Sequence, residues 1–414
     1  MKHSHYKWII SGSVLLVTVF VCLGLCFFSS CRNTAGEIPV IDMDRPAGSI
    51  DLHLSDLFDD ITIVPIETQD DLLLEPRTNF TITNHYILAH RGDRLLQFDR
   101  QGKFIRTLAL RGRGPNEFNV MANPLVDEER GLFYYVNNVN RETIACIDMN
   151  SGEFLGPYTP DIQPFSMQQM DSKGYVYGFR PAFDSSFYND SLESQKSPIL
   201  AFRFHPQNND LTLYEGSRDI EGSYHLVGYG NSRMFNWNDT VFFMIPTYSD
   251  TLFKIVDDRI VPHYVFKLKN KMVDQKLGGM ALDIHFSGQC GVMFTKKEII
   301  IEYKDGSVSG AGGRPVGYLF LDNNRNLKTI NSLTIEALGL TIPSGRSPDY
   351  EIPMVPIVTG IHGYFRMLPK HVITLANQML KGNQISNDQR KRYEELVTTL
   401  KEDDNIVLIV GNVK

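Results

Sequence analysis

Eight residues, Arg111 to Phe118 (RGRGPNEF), hold the densest chemistry in the chain. Two arginines alternate with glycines, so guanidinium groups and backbone N–H groups could converge on a carboxylate, a sulfate or a sugar acid. Arg111 and Arg113 would supply the charge, Asn116 a corner that tolerates left-handed backbone, and Glu117 an acceptor for hydroxyl hydrogens. The same residues have a plainer use, in which Glu117 and the arginines pair with each other while Gly and Pro115 set a turn between structural units. Arg111, Arg113, Asn116 and Glu117 are the candidate binding residues.

Other constellations are weaker. Histidines at 85, 90, 205, 225, 263, 285, 362 and 371 are scattered, with no His-x-x-x-His or His-Glu-x-x-His, so no metal site is expected. The pairs Asp59-Asp60, Asp70-Asp71, Asp257-Asp258 and Asp403-Asp404 stand in turn-like contexts. Acid–base work needs two carboxyl groups at a defined separation, which adjacent residues seldom provide. Gly310 to Pro315 (GAGGRP) lacks the Lys-Ser/Thr of a phosphate loop, and Gly-x-Ser-x-Gly is absent. No catalytic residue is assigned and no cofactor is expected.

The elements that must position the arginine loop read as sheet. Before it, Leu96 and Phe98 alternate with Gln97 and Asp99, the period-2 pattern of a strand with one buried face. Asp99-Arg100-Gln101-Gly102 supplies turn chemistry, and Phe104 to Leu108 returns. This unit recurs at Ile144 to Phe154, and more weakly at Ile199 to Tyr214, Thr251 to Tyr264 and Tyr318 to Ile330. With Phe98, Ile147, Phe204, Ile255 and Leu321 as equivalent positions, the copies are spaced by roughly 50–65 residues, which points to the blades of a propeller. Neighbouring blades must stack around an axis, because none buries both its faces alone. Asp161 to Arg233 reads as one blade with a long excursion loop.

Both ends of the globular part are strand-like. Ile61, Ile63 and Ile66 offer a buried face, with Pro65 confining that strand to an edge or its end. Ile406 to Val410 is a continuous apolar run. The two ends are expected to complete one blade together, since closure removes two open edges. Between them, Pro369 to Leu380 and Asn387 to Leu400 change to three- and four-residue spacing, predicting two amphipathic helices with Ser386 or Asn387 capping the second.

Five stretches together, Leu54 to Phe58 with Ile61 to Thr68, Phe98 to Gly102, Arg111 to Phe118, Tyr248 to Phe253 and Asp404 to Lys414, make the chain resemble the six-bladed β-propeller lipoproteins of Bacteroides-like bacteria. The family is mostly without an assigned biochemical role. It usually carries glycine where this chain has Asn116. The resemblance implies an all-β, six-bladed propeller closed by N- and C-terminal strands over residues 51–414, with short C-terminal helices. It also treats the Arg111 to Phe118 loop as a recurrent fold signature, which favours the structural use.

Met1 to Lys7 is a positive segment and Trp8 to Phe28 is apolar, followed by Ser29, Ser30 and Cys31. This suits a lipoprotein signal over residues 1–30, with Cys31 acylated as the new N-terminus; Phe28 stands where such signals usually carry Leu. The alternative is an uncleaved membrane helix. Residues 31–50 would form a tether. Of five cysteines, Cys146 and Cys290 lie in apolar strand-like contexts, read as buried free thiols or as one disulfide. The formal net charge is −7, and losing Lys2 and Lys7 leaves −9, with no basic run to bind nucleic acid. The expectation is a non-catalytic lipoprotein on the outer membrane of a bacterial envelope, facing the periplasm or the surface, that binds a glycan, a peptide or an envelope protein. The alternatives are a lyase, hydrolase or lactonase with a polar or metal site on the axis, and a purely structural subunit of an envelope complex.

Overall fold

The computed structural model describes residues 38–414 apart from 44, 70, 77, 115–116, 120, 138–142, 160–166, 180–198, 209, 216–232, 238, 245–250, 268–291, 296–297, 305–315, 344–355 and 383–384. Within the compact unit Val40–Lys414, the strands form six small sheets in a six-bladed β-propeller. Blade 1 spans residues 79–111, blade 2 121–158, blade 3 167–215, blade 4 233–267 and blade 5 292–335. Each is an antiparallel meander of four strands in chain order. Blade 6 takes three strands from residues 357–413, and its fourth, β3 (Phe58–Pro65), comes from the N-terminal side. The expected closure is therefore present. Pro65 is the last residue of β3 at the sheet edge, where a missing N–H costs nothing.

Six hydrophobic clusters fill the six gaps between neighbouring blades. Side-chain alternation sends successive residues of one strand to opposite gaps. In blade 2, Phe133, Tyr135, Ala145 and Ile147 pack towards blade 1, while Tyr134, Val136, Ile144 and Cys146 pack towards blade 3. In blade 1, Leu88 and Leu95 face blade 2, and Ile87, Ala89, Leu96 and Phe98 face blade 6. Each sheet is thus sandwiched on both faces. This corrects the expectation that Gln97 faces solvent: it is fully buried, its Nε2 donating to Met149 O at 2.7 Å in blade 2. Its Oε1 accepts from Arg106 Nε at 2.8 Å, and Arg106 also donates to the carbonyls of Asn150 and Ser151. A polar side chain enters this interior only with its hydrogen bonds made.

The hairpin turns share one device, an aspartate whose Oδ1 accepts two backbone N–H groups. Asp99 takes those of Gln101 and Lys103, both at 2.9 Å. Asp148 takes Asn150 at 2.7 Å and Ser151 at 3.0 Å. Asp322 takes Asn324 at 2.9 Å and Asn326 at 2.8 Å. These turns lie between third and fourth strands. They share one end of the wheel with the turns between first and second strands, as the Arg100 bond to Thr83 O at 3.0 Å shows. Around that end the turns join blade to blade: Asn84 N to the Glu128 carboxylate at 3.1 Å, Arg130 to Lys173 O at 3.3 Å, and Ser172 Oγ to Asp239 at 2.9 Å. Gly102, with φ +85°, presses on the closing strand, where any side chain would overlap the Pro65 carbonyl oxygen.

Within and just past the span 31–50 expected as a tether, two short segments join the sheets. β1 (Val40–Asp42) adds in parallel to the outer strand of blade 4, and β2 (Ser49–His53) adds in parallel to that of blade 5. Ile41 and Leu52 are buried there, at 4% and 3% exposure. Three- and five-residue strands between Gly and Pro carry too little alternation to be recognised beforehand. A one-turn helix, α1 (Leu54–Leu57), then leads into β3. The two predicted helices are α2 (Pro369–Lys381) and α3 (Asn387–Thr399). Ser386 caps α3 by accepting from Gln389 N while the Gln389 side chain returns a bond to Ser386 N. Val372, Leu375 and Ala376 of α2 and Tyr393 and Leu396 of α3 extend the core between blades 5 and 6.

Asn405 staples the segment from β3 to blade 1. It is 3% exposed, and its Nδ2 donates to Glu67 O and Leu72 O, both at 2.8 Å. Its Oδ1 accepts from Leu74 N at 2.7 Å. Asn405→Ala strands buried backbone groups, so chemical denaturation is expected to show a loss of about 2–4 kcal/mol; a loss under ~0.5 kcal/mol would contradict the staple.

Candidate functional site

The arginine loop is held by the end of blade 1 opposite the aspartate turns. The fourth strand, Phe104–Arg111, runs into it, and Arg111 N donates to Asp93 O at 2.7 Å. Gly112 N donates to Phe118 O at 3.0 Å, and Glu117 and Phe118 pair in parallel with Leu110 and Arg111. Phe118 is the loop's plug: 3% exposed, it enters the core between blades 1 and 2 with its ring edge-on to Tyr135 at 6.2 Å. Glu117 folds back over the loop. Its Oε2 accepts from Gly114 N at 2.7 Å, and a side chain on Gly112 would collide with that carboxylate. Arg111 and Arg113 are exposed, while Pro115 and Asn116 lie outside the described residues.

Two further arginines join this end, and the sequence reading did not include them. Arg91 and Arg94 face each other across the turn between the second and third strands, and Arg94 is the cross-strand partner of Leu110. Their guanidinium groups flank Asp93, with Arg91 Nε at 3.4 Å and Arg94 Nε at 3.2 Å from its carboxylate. Each also donates to Asp71 O at 3.4 Å. The register of a hairpin was the missing signal. Residues 91 and 111 are distant in sequence, and only the pairing of three successive strands brings them to one corner. Four arginines thus gather in a chain of net charge −7, beside the carboxylates of Asp93 and Glu117. Such a corner attracts anions, and planar guanidinium groups match carboxylate and sulfate oxygens in pairs.

The remaining candidates are placed as follows. His90 is held against Phe133 at 5.5 Å and beside Thr81 Oγ1 at 3.5 Å, and burial pushes it down to about 4. His263 packs between Phe242 and Tyr264 and is likewise pushed down by burial to about 4. His362 is 3% exposed, and burial with the nearby Arg100 charge holds it at about 4. His225 and His285 lie outside the described residues. Among the described residues no three His, Cys, Asp or Glu side chains gather in a metal-ligand set. Asp257 and Asp258 form the hairpin turn of blade 4, with φ 48° and 56°, and Asp258 pairs with Arg203 at 2.8 Å. Asp60 accepts from Asn412 and Asp404 from Lys401 N. Cys146 is a buried free thiol whose pKa burial pushes up to about 12. Cys290, the Gly310 to Pro315 stretch and the Asp184 to Ser197 excursion lie outside the described residues, as does Cys31. Among the described residues no helix is long and apolar enough to cross a membrane.

A family model described as a domain of unknown function, DUF4934, matches residues 38–412. No curated protein matches the chain. Among solved structures, a presumptive exported protein of Bacteroides fragilis aligns with TM-score 0.55 at 15% identity, over 91% of this chain and 99% of that one. At that identity the likeness shows the fold. Hydrazine synthase of Kuenenia stuttgartiensis aligns with TM-score 0.40 at 11% identity, over 80% and 86% of the two chains. The extracellular domain of a presumptive one-component system of B. thetaiotaomicron gives 0.36 at 7% identity, over 71% and 30%. Neither of these two carries an argument.

Proposed function

As the chain belongs to the DUF4934 family, a group of uncharacterised propellers, we propose that it is an envelope lipoprotein whose propeller binds an acidic ligand without catalysis. The gathering of Arg91, Arg94, Arg111 and Arg113 at one corner of blade 1 carries this reading. Arg111 and Arg113 are the exposed contacts. Arg91 and Arg94 are steadied by Asp93, and Glu117 braces the loop by holding Gly114 N. Asn116, between Arg113 and Glu117 in the sequence, completes the proposed set. The ligand is a glycan bearing uronate or sulfate groups, or the carboxylates of a peptide or an envelope protein. Acylated Cys31 anchors the protein to the outer membrane, facing the periplasm or the surface. The exported match of similar fold supports that location.

The test is a thermal-shift and calorimetric titration of the protein lacking its first 31 residues, against uronate-containing, sulfated and neutral oligosaccharides and acidic peptides. An acidic ligand is expected to raise the melting temperature in proportion to its occupancy. Arg111→Ala with Arg113→Ala is expected to weaken that binding by about tenfold or more. Binding of neutral glycans alone, or acidic binding untouched by the double variant, would remove the corner from the proposal.

A further inference from the structure

We propose that the outer edge of blade 1 takes the C-terminal end of a partner protein as an added parallel strand, whose terminal carboxylate seats at Arg111 and Arg113. This rests on the anion reading above and names the ligand within it as a peptide. The carrying observation is how the other rims are finished. The fourth strand of blade 4 is covered by β1 and that of blade 5 by β2, each added in parallel. A third short segment, Glu117–Phe118, adds in parallel to the end of blade 1, at Leu110 and Arg111. From Ile105 to Ala109 the outer edge of blade 1 has no strand beside it among the described residues. An uncovered edge presents a row of N–H and C=O groups that a peptide strand can satisfy.

Both ends of that edge are fixed. Phe104 N donates to Glu67 Oε2 at 2.7 Å, so pairing begins after it. Beyond Ala109 the edge is taken by Glu117 and Phe118. Five residues are left, the length of β2, or about 16 Å of strand. A strand laid there in parallel runs towards the arginine loop and has to stop against it. A chain terminus meets that requirement without a further turn, and its α-carboxylate arrives beside two exposed arginines. Ile105 and Leu110, 42% and 50% exposed, are apolar surface for the peptide's side chains to cover. Acids stand at this end too. Asp93 lies between Arg91 and Arg94, Asp71 gives its carbonyl to the same two, and Glu117 holds Gly114 N. Arg91, Arg94, Arg111 and Arg113 against Asp71, Asp93 and Glu117 leave one positive charge in excess, enough for a single carboxylate. The fourth strands of blades 2 and 3, which also lack an added strand among the described residues, end instead at Tyr158 and Glu215.

The experiment uses the full chain in mild detergent and a random library of N-acetylated hexapeptides in two forms, ending in a free carboxylate or in a carboxamide. Free-acid members are expected to be selected, and amidation of the best of them to weaken its calorimetric affinity by about tenfold or more. Methylating its backbone nitrogens one at a time is expected to weaken binding at alternate positions, the signature of pairing along one edge. Arg111→Gln with Arg113→Gln is expected to erase the difference between acid and amide. Direction is read by disulfide exchange over the background of the unsubstituted chain. Ile105→Cys is expected to capture a cysteine at the peptide's N-terminal end, and Leu110→Cys one near its C-terminal end. The reverse capture pattern, an even response to methylation, or a library without a binder overturns the proposal. Self-association that Ile105→Lys abolishes, with no peptide bound, gives the edge to a second copy and overturns it as well. Acidic oligosaccharides that bind at Arg111 and Arg113 where no hexapeptide does would sink the added strand and leave the anion reading standing. A hexapeptide sensitive to alternate methylation but indifferent to amidation and to both arginines would support the strand and sink the anion reading, with the carboxylate's seat.

Discussion

Phe58→Ala is expected to destabilise the propeller by about 3–5 kcal/mol, the range for emptying a fully packed phenylalanine site. Phe58 opens the closing strand and is 2% exposed. Its ring lies across Gly363 and Gly411, a cross-strand pair in blade 6, where a side chain on either glycine would strike the ring. Two facing glycines make a trough one ring wide, and the closing strand docks by filling it. Truncation empties the trough and weakens the seam that joins the two ends of the chain, so the loss falls on the cooperative unit. Gly363→Ala should approach the same loss from the other direction, by forcing the ring out. Urea denaturation followed by fluorescence checks both. A change in Phe58→Ala below about 1 kcal/mol, with unchanged slope, would show that the seam is held elsewhere.

Acidification gives the second large effect. His362 Nδ1 lies 2.8 Å from Asn412 Oδ1, while Asn412 Nδ2 donates to Asp60 at 3.0 Å. The amide oxygen therefore accepts, Nδ1 carries the proton, and Nε2 is buried without a hydrogen-bond partner. Burial, with the Arg100 charge adding to it, keeps this ring neutral down to about pH 4, against 6.5 for a free histidine. The unfolded chain thus binds a proton over a range in which the folded chain does not. Stability is complete above the unfolded value and declines as pH falls from about 6.5 towards 4. The slope is about 1.4 kcal/mol per pH unit for each histidine held fully neutral. His90 and His263, depressed the same way but less enclosed, add to it. Denaturation midpoints between pH 7.5 and 4.5 measure the slope, and His362→Gln is expected to reduce it. A midpoint flat across that range would mean that His362 takes up its proton without unfolding.

Much of the wheel was legible in the chain because each blade repeats a hairpin with a fixed pattern. Phe98, Ile147, Phe204, Ile255 and Leu321 all fall in the third strand of successive blades. The aspartate turns at 99, 148 and 322 were visible because a carboxylate bonded to its own turn is a local device. The closure was visible because apolar runs at both ends lacked partners. What stayed hidden depends on neighbours in space. Gln97 read as solvent-facing because alternation was taken to mean one wet side, whereas a blade has none. β1 and β2 were hidden because a short strand added to an existing edge takes its register from that edge. Arg91 and Arg94 were hidden because their place beside Arg111 is a product of strand pairing. Glu117 was read as an acceptor for ligand hydroxyls or as the ion-pair partner of the arginines; its bond from Gly114 N is a contact with its own loop that neither reading included.

The order in which the N-terminal strands attach has a mechanical meaning. Tension applied to the chain ahead of Val40 would meet β1 on blade 4 first, then β2 on blade 5, and only afterwards the strand that carries Phe58. Three residue pairs yield before five, and five before the seam is loaded. Under such a pull the two outer strands would serve as a sacrificial fuse, peeling away while the ring stays shut.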